Sequence, residues 1–212
     1  MNMIPKLIII SGTLALLCLI ALHFLSPEFK PSWRMVSEYA LGKYKPVLTA
    51  FFLLWGISNL LLPFLLWNET SGFWSKAGLI LVLITGIGAC MGGLFDVKHP
   101  LHGLAFALGV PALPVGALLV SYHLVKGGIW SNHSSLILFS SHSVWISLVI
   151  MAVAIIVMMS GFKEAGVPMS KDAVPPETVP AGVIALAGYA NRLLVLCYAA
   201  WTILMAIIYM KK

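Results

Sequence analysis

Charged residues are scarce in this chain of 212 residues: only 9% are Asp, Glu, Lys or Arg, against roughly 25% in an average soluble domain. By contrast, 60% of the residues are hydrophobic, and the mean hydropathy is +0.99. This composition excludes a disordered chain and a coiled coil, and it leaves too few polar residues to cover the surface of a water-soluble globule. We therefore expect an integral membrane protein.

Cysteine is also rare, and the usual motifs of soluble enzymes are missing. The three cysteines lie singly inside apolar runs without a CxxC pair, which excludes a disulfide framework. No Walker loop, HExxH, GxSxG or nucleotide-binding glycine fingerprint occurs, and the 13 Lys and Arg form no basic stripe, so we expect no nucleic-acid partner.

His142 is the only histidine well inside an apolar run, whereas a transmembrane haem needs two axial ligands at matching depth. We expect neither haem nor nucleotide.

Six long apolar runs dominate the sequence, and each has the ~20 residues needed to cross ~30 Å of hydrocarbon. The runs are continuous rather than alternating, which favours helices over a β-barrel. We predict an all-α fold: a single domain, residues 1–212, that forms a bundle of six transmembrane helices surrounded by membrane lipids. The loop lysines and arginines divide too evenly between the two sides to set the orientation. The predicted spans are about 5–25, 45–67, 77–95, 100–125, 135–162 and 181–210.

Several polar residues lie in or next to the odd-numbered loops, which must all lie on one side of the membrane. The end of span one, the loop 26–44 and the turn between spans three and four meet on this side. The sequence predicts one polar site there, covered by a first loop that folds back because its residues are too apolar to stay in water. Glu38 and His102 are candidate catalytic residues. The ligand-binding candidates on this side are Glu38, Tyr39, Asp96, His99 and His102, and the candidate metal ligands are His23, Asp96, His99 and His102.

Two polar residues inside apolar runs are further ligand-binding candidates. Arg192 lies about eleven residues into the sixth predicted span, where an Arg costs at least ~2.5 kcal/mol. We expect it to point to a polar interior, either as a structural partner or as the counter-charge of a bound anion. Asn59 in span two either binds a ligand or joins two helices.

Small residues and prolines predict tight, kinked packing in the middle of the chain. Gly88 and Gly92 form a GxxxG pattern in span three, a face on which helices approach closely and on which an oligomer can form. Pro111 and Pro114 interrupt span four and should free backbone carbonyls there.

Three functions remain open from the residues alone. The first is a protein that binds or transports a lipid or a small anionic solute, with Arg192 as the counter-charge. The second is a metal-dependent membrane hydrolase that uses Asp96, His99 and His102. The third is a structural or assembly subunit.

Three sequence blocks resemble a bacterial membrane family known as domain of unknown function 998. The blocks are His23 to Gly42, Gly92 to Ala105, and Asn191-Arg192 with Trp201 nine residues on. The resemblance implies a multi-pass protein with six helices in the bacterial inner membrane. It implies no established chemistry.

Overall fold

The computed structural model describes residues 3–168, 176 and 178–212. In these residues it contains helices but no strands, and six helical segments are long and apolar enough to cross a membrane. The predicted all-α membrane fold is therefore confirmed. The helices are α1 (Met3–Leu25), α2 (Lys45–Leu66), α3 (Phe73–Leu94), α4 (His102–Gly109), α5 (Ala112–Leu124), α6 (Gly128–Ser131), α7 (Ser134–Glu164) and α8 (Ala187–Tyr209), with short 3-10 turns at Val36–Leu41 and Trp67–Glu69.

Span four consists of two helices, because α4 ends and α5 begins on either side of Val110 and Pro111. Pro114 has no backbone N–H, so it cannot donate to the carbonyl of Val110 one turn earlier. The hydroxyl of Tyr198 in α8 donates to that carbonyl instead, at 2.8 Å. The kink expected from the prolines is present, and a side chain from another helix satisfies the carbonyl that it frees.

The last span begins later than the sequence predicts, at Ala187 rather than at residue 181. Residues 181–186 are not helical, and Gly182 has a φ of +82°, a left-handed conformation typical of glycine in turns. Arg192 is therefore the sixth residue of α8. It lies about 7.5 Å from the helix start at 1.5 Å per residue, which is closer to the start of the span than the sequence predicts.

Helix α8 is the most buried of the six spans and contacts α1, α2 and α7. Helix α3 packs against α2, α4 and α5. A Cβ atom at Gly88 would overlap the backbone of Gly109, and a Cβ atom at Gly92 would touch the ring of Phe52. Within the chain, α3 uses the GxxxG face to approach α4 and α2.

Buried hydrogen bonds join α2 to α8 near the centre of the bundle. The hydroxyl of Thr202 donates to Oδ1 of Asn59 at 3.1 Å, and Nδ2 of Asn59 donates to the carbonyl of Trp55 at 2.9 Å. Asn59 is fully buried. It therefore joins two helices through these hydrogen bonds.

The Tyr198 hydrogen bond can be tested by a double-mutant cycle with Pro114. Tyr198→Phe leaves the carbonyl of Val110 unpaired and should lower the free energy of unfolding in detergent by about 0.6–1.7 kcal/mol. Pro114→Ala restores an N–H one turn from that carbonyl, so Tyr198→Phe should cost less in the Pro114→Ala background. An equal cost in both backgrounds would contradict the role given to Tyr198.

Candidate functional site

The first loop, residues 26–44, folds back over the helix ends as the sequence predicts. Trp33, Val36 and Tyr39 are buried, and Val36 begins the 3-10 turn of the loop. The backbone N–H of Val36 donates to Oδ1 of Asn191 in α8 at 2.9 Å. The loop is thus part of the folded bundle, and these three side chains lie away from water.

The carbonyl of Ser32 in the first loop caps the start of α8. It accepts hydrogen bonds from the N–H groups of Gly188 at 2.9 Å and Tyr189 at 3.2 Å, which otherwise lack partners at a helix N-terminus. Gly188 permits this approach, because a Cβ atom there would lie 2.7 Å from the carbonyl oxygen of Arg34 and from the nitrogen of Trp33. Only glycine fits at this position.

Arg192 of α8 holds the first loop in place through hydrogen bonds from its guanidinium. Its NH1 donates to the carbonyl of Arg34 at 2.7 Å and to the carbonyl of Gly188 at 2.9 Å. Its NH2 donates to the hydroxyl of Tyr39 at 3.1 Å, and its Nε donates to Nε2 of His23 at 2.7 Å. Side chains of a helix tilt towards its N-terminus, which directs this guanidinium to the loop. Arg192 is 8% exposed, so it points inward as expected.

The partners of Arg192 are neutral. Among the described residues no carboxylate forms an ion pair with it. Nδ1 of His23 lies 2.7 Å from the carbonyl of Leu19. Because arginine only donates and a carbonyl only accepts, His23 adopts the neutral form with its proton on Nδ1. Both ring nitrogens of His23 are therefore occupied, and neither is free for a metal.

Glu38 and Asp96 on this side each form a local ion pair. Oε1 of Glu38 accepts from NH1 of Arg34 at 3.0 Å, and Oε2 accepts from the N–H of Met35 at 2.7 Å. Asp96 binds Nζ of Lys45 at 2.6 Å. Each carboxylate is thus compensated by a nearby cation, Arg34 for Glu38 and Lys45 for Asp96.

Lys45 of α2 and residues of the turn itself stabilise the turn after α3. The ammonium of Lys45, and then the backbone N–H of Lys98 at 3.0 Å, hold the pKa of Asp96 below its usual range. His99 stacks on Phe95 with ring centroids 4.5 Å apart, and its Nδ1 accepts from the N–H of Leu101 at 3.1 Å. His99 is exposed and serves this turn.

The four candidate metal ligands do not assemble. In the part of the chain that the structure describes, no three His, Cys, Asp or Glu side chains lie close enough to hold a metal ion. His23 is bound to Arg192, and Asp96 is bound to Lys45. Nδ1 of His102 lies 2.9 Å from the carbonyl of Phe95. These hydrogen-bond partners hold His23, Asp96 and His102 apart from one another as metal ligands.

A cavity of about 80 Å³ lies beneath the first loop, between α2, α3, α4 and α8. Ser37 and His102 line it, as does Asn191. The first loop and the start of α4 thus meet at one cavity. Four other candidate residues do not line it: Glu38, Tyr39, Asp96 and Arg192. The apolar lining was not evident in the sequence, because its residues look like ordinary core: Phe51, Phe52, Trp55, Ala89, Ala105, Phe106, Leu194 and Val195.

These features define a multi-pass α-helical membrane protein whose first loop covers a cavity between four helices. A family model described as protein of unknown function (DUF998) matches residues 9–208. The chain belongs to this family, which confirms the resemblance found in its sequence blocks. No curated protein and no solved structure matches the chain.

The contact at Gly188 predicts a large effect from one methyl group. Gly188→Ala should lower the free energy of unfolding by about 1–3 kcal/mol, because the new Cβ atom overlaps the backbone of the first loop. The matched control is Gly103→Ala in α4, where a Cβ atom meets nothing within 4 Å. We expect Gly103→Ala to be neutral or stabilising. Thermal unfolding in mild detergent measures both, and equal midpoints would contradict the docked loop.

The two arginines of the chain offer a matched comparison. Arg192→Lys places one ammonium where four acceptors need partners, at about 1–3 kcal/mol for each buried group left unpaired. Arg34→Lys affects an i,i+4 ion pair worth about 0–1 kcal/mol. We expect only Arg192→Lys to release the first loop, measured as faster trypsin cleavage after Lys43. Equal cleavage of both variants would show that Arg192 does not hold the loop.

Proposed function

We propose that this protein binds a membrane lipid, with a hydrocarbon chain of the lipid in the cavity beneath the first loop and the polar end near Ser37 and His102. The observation that carries this proposal is that the cavity has a few polar side chains, Ser37, His102 and Asn191, and is otherwise lined by aromatic and aliphatic side chains between the helices. Such a gradient matches the two ends of an amphiphile.

The size of the cavity favours a slender occupant. Its volume of about 80 Å³ is roughly half that of the 150 Å³ apolar cavity known to hold benzene. Phe51 and Leu194, which are both buried, contribute to the wall. It has room for a few methylene groups of an acyl chain but not for a bulky solute, and each methylene group gains about 0.8 kcal/mol on leaving water.

The cavity also adjoins the bilayer. Phe106 in α4 lines it and is 48% exposed, so this side chain lies between the cavity and the surrounding lipid. Helix α4 itself is short and ends just before Val110 and Pro111. A lipid chain can therefore enter from the side, without crossing the aqueous face of the first loop.

A small anionic solute is less well supported than a lipid. Arg192 was the expected counter-charge, but its side chain donates four hydrogen bonds to protein acceptors and does not line the cavity. The metal-dependent hydrolase has lost its expected ligand set, as described above. No observation in the described residues favours a purely structural role over lipid binding.

Photocrosslinking in nanodiscs tests the proposal. The probe is phosphatidylcholine with a diazirine in one acyl chain, and the products are mapped by mass spectrometry of peptides. The buried cavity residues Leu194 and Val195 should be labelled, and the exposed Leu193 and Leu196 on the same helix give the reference for ordinary contact with bilayer lipid. The ratio of cavity labelling to surface labelling reports occupancy.

Two alanines of α4 provide the matched variants. Ala105 is buried and lines the cavity, whereas Ala107 is exposed and does not. Ala105→Leu should reduce the labelling ratio by about fivefold or more, because overpacking costs ~1–3 kcal/mol. Ala107→Leu should leave the ratio unchanged. A wild-type protein labelled only at its lipid-facing residues, or a ratio insensitive to Ala105→Leu, would overturn the proposal.

A further inference from the structure

The hydrogen bond between His23 and Arg192 requires a neutral imidazole. Nε of Arg192 donates to Nε2 of His23 at 2.7 Å, and Nδ1 of His23 lies 2.7 Å from the carbonyl of Leu19. A guanidinium keeps its protons in proteins, so the lone pair on Nε2 of His23 is the acceptor of this hydrogen bond. A proton added to Nε2 removes that lone pair and sets two N–H donors against each other.

The surroundings of His23 offer no counter-charge for an imidazolium. Arg192 of α8 donates to its ring, and the ring of Tyr39 in the first loop lies 6.1 Å away between centroids. Helix α2, which also packs against α1, places no titratable side chain within hydrogen-bond distance of His23 among the described residues. In the same part of the chain, no carboxylate forms an ion pair with His23 or Arg192. A charged His23 would therefore repel Arg192 without compensation.

Water reaches His23, because this third-last residue of α1 is partly exposed. A histidine with access to water changes its charge between about pH 5 and pH 8. In acid, an imidazolium that stays in place repels the guanidinium of Arg192. An imidazolium that rotates out to water leaves Nε of Arg192 without its acceptor. Both arrangements destabilise the seated first loop.

We infer that His23 and Arg192 form an acid-sensitive latch, in which protonation of His23 releases the first loop from the helix ends and uncovers the cavity beneath it. The released loop binds one proton more than the seated loop, so a falling pH favours release and a rising pH restores the seated state. Met35, Val36 and Ser37 of the loop line the cavity, which is why release opens it. The latch acts on the loop whatever molecule fills the cavity.

Hydrogen–deuterium exchange of the full-length protein in nanodiscs tests the latch, with each rate divided by the intrinsic exchange rate at that pH. The reporters are the N–H groups that join the loop to α8: Val36, which donates to Asn191, and Gly188 and Tyr189, which donate to Ser32. Between about pH 7.5 and pH 5.5, where histidines titrate, their protection should fall about tenfold or more, because Arg192 loses one acceptor.

Two glutamine variants assign the acid response to one histidine. His23→Gln gives Nε of Arg192 a neutral acceptor that takes no proton at these pH values, so the loop should stay protected at both. His102→Gln changes the histidine that lines the cavity beneath the loop, and its acid response should match that of the wild-type protein. Unchanged wild-type protection in acid, or equal losses in the wild-type protein and His23→Gln, would overturn the latch.

Solid-state NMR of wild-type protein labelled at histidine and arginine gives a second measurement, which does not depend on the folding of His23→Gln. The imidazole of His23 is identified by its contact with a labelled guanidinium, because Arg192 hydrogen-bonds to this ring. Nε2 of His23 should be unprotonated near pH 7.5 and should gain a proton over the range in which the loop loses protection. An imidazole that stays neutral while protection falls contradicts the inference.

Discussion

The guanidinium of Arg192 connects α1, α8 and the first loop, and the arrangement of this side of the protein depends on it. A charged group in a membrane bundle needs compensation, and here two carbonyls, an imidazole and a phenol supply it. The same contacts fix the first loop over the helix ends. Met35, Val36 and Ser37 of that loop then line the cavity, so the structural role of Arg192 positions the site without Arg192 entering it.

The sequence predicts the number and position of the spans because hydrophobic length is decisive in a bilayer. It does not predict the start of α8. Residues 183–186 are Val, Ile, Ala and Leu, so hydropathy cannot separate them from the helix that follows. The boundary depends instead on the turn at Gly182 and on the carbonyl of Ser32, which caps Gly188 from a loop more than 150 residues earlier.

The site shows a similar division. Because odd-numbered loops share one side of the membrane, the sequence places Ser37 and His102 on the same side. Both line the cavity. Parity gives no information about which charges pair, and Asp96 binds Lys45 while Glu38 binds Arg34. Trp55 also has no distinguishing signal in the sequence, because a tryptophan in an apolar run resembles any core residue.

The central claim is that a first loop held by Arg192 encloses a binding site for a lipid chain. The most direct measurement is a high-resolution structure of the protein in nanodiscs of native lipid, bound to an antibody fragment to increase its size. We predict non-protein density that passes Phe106 and ends in the cavity beside Phe51 and Leu194, with the first loop seated on Gly188. A cavity that is filled by protein side chains or holds only water, beneath the same seated loop, would contradict the claim.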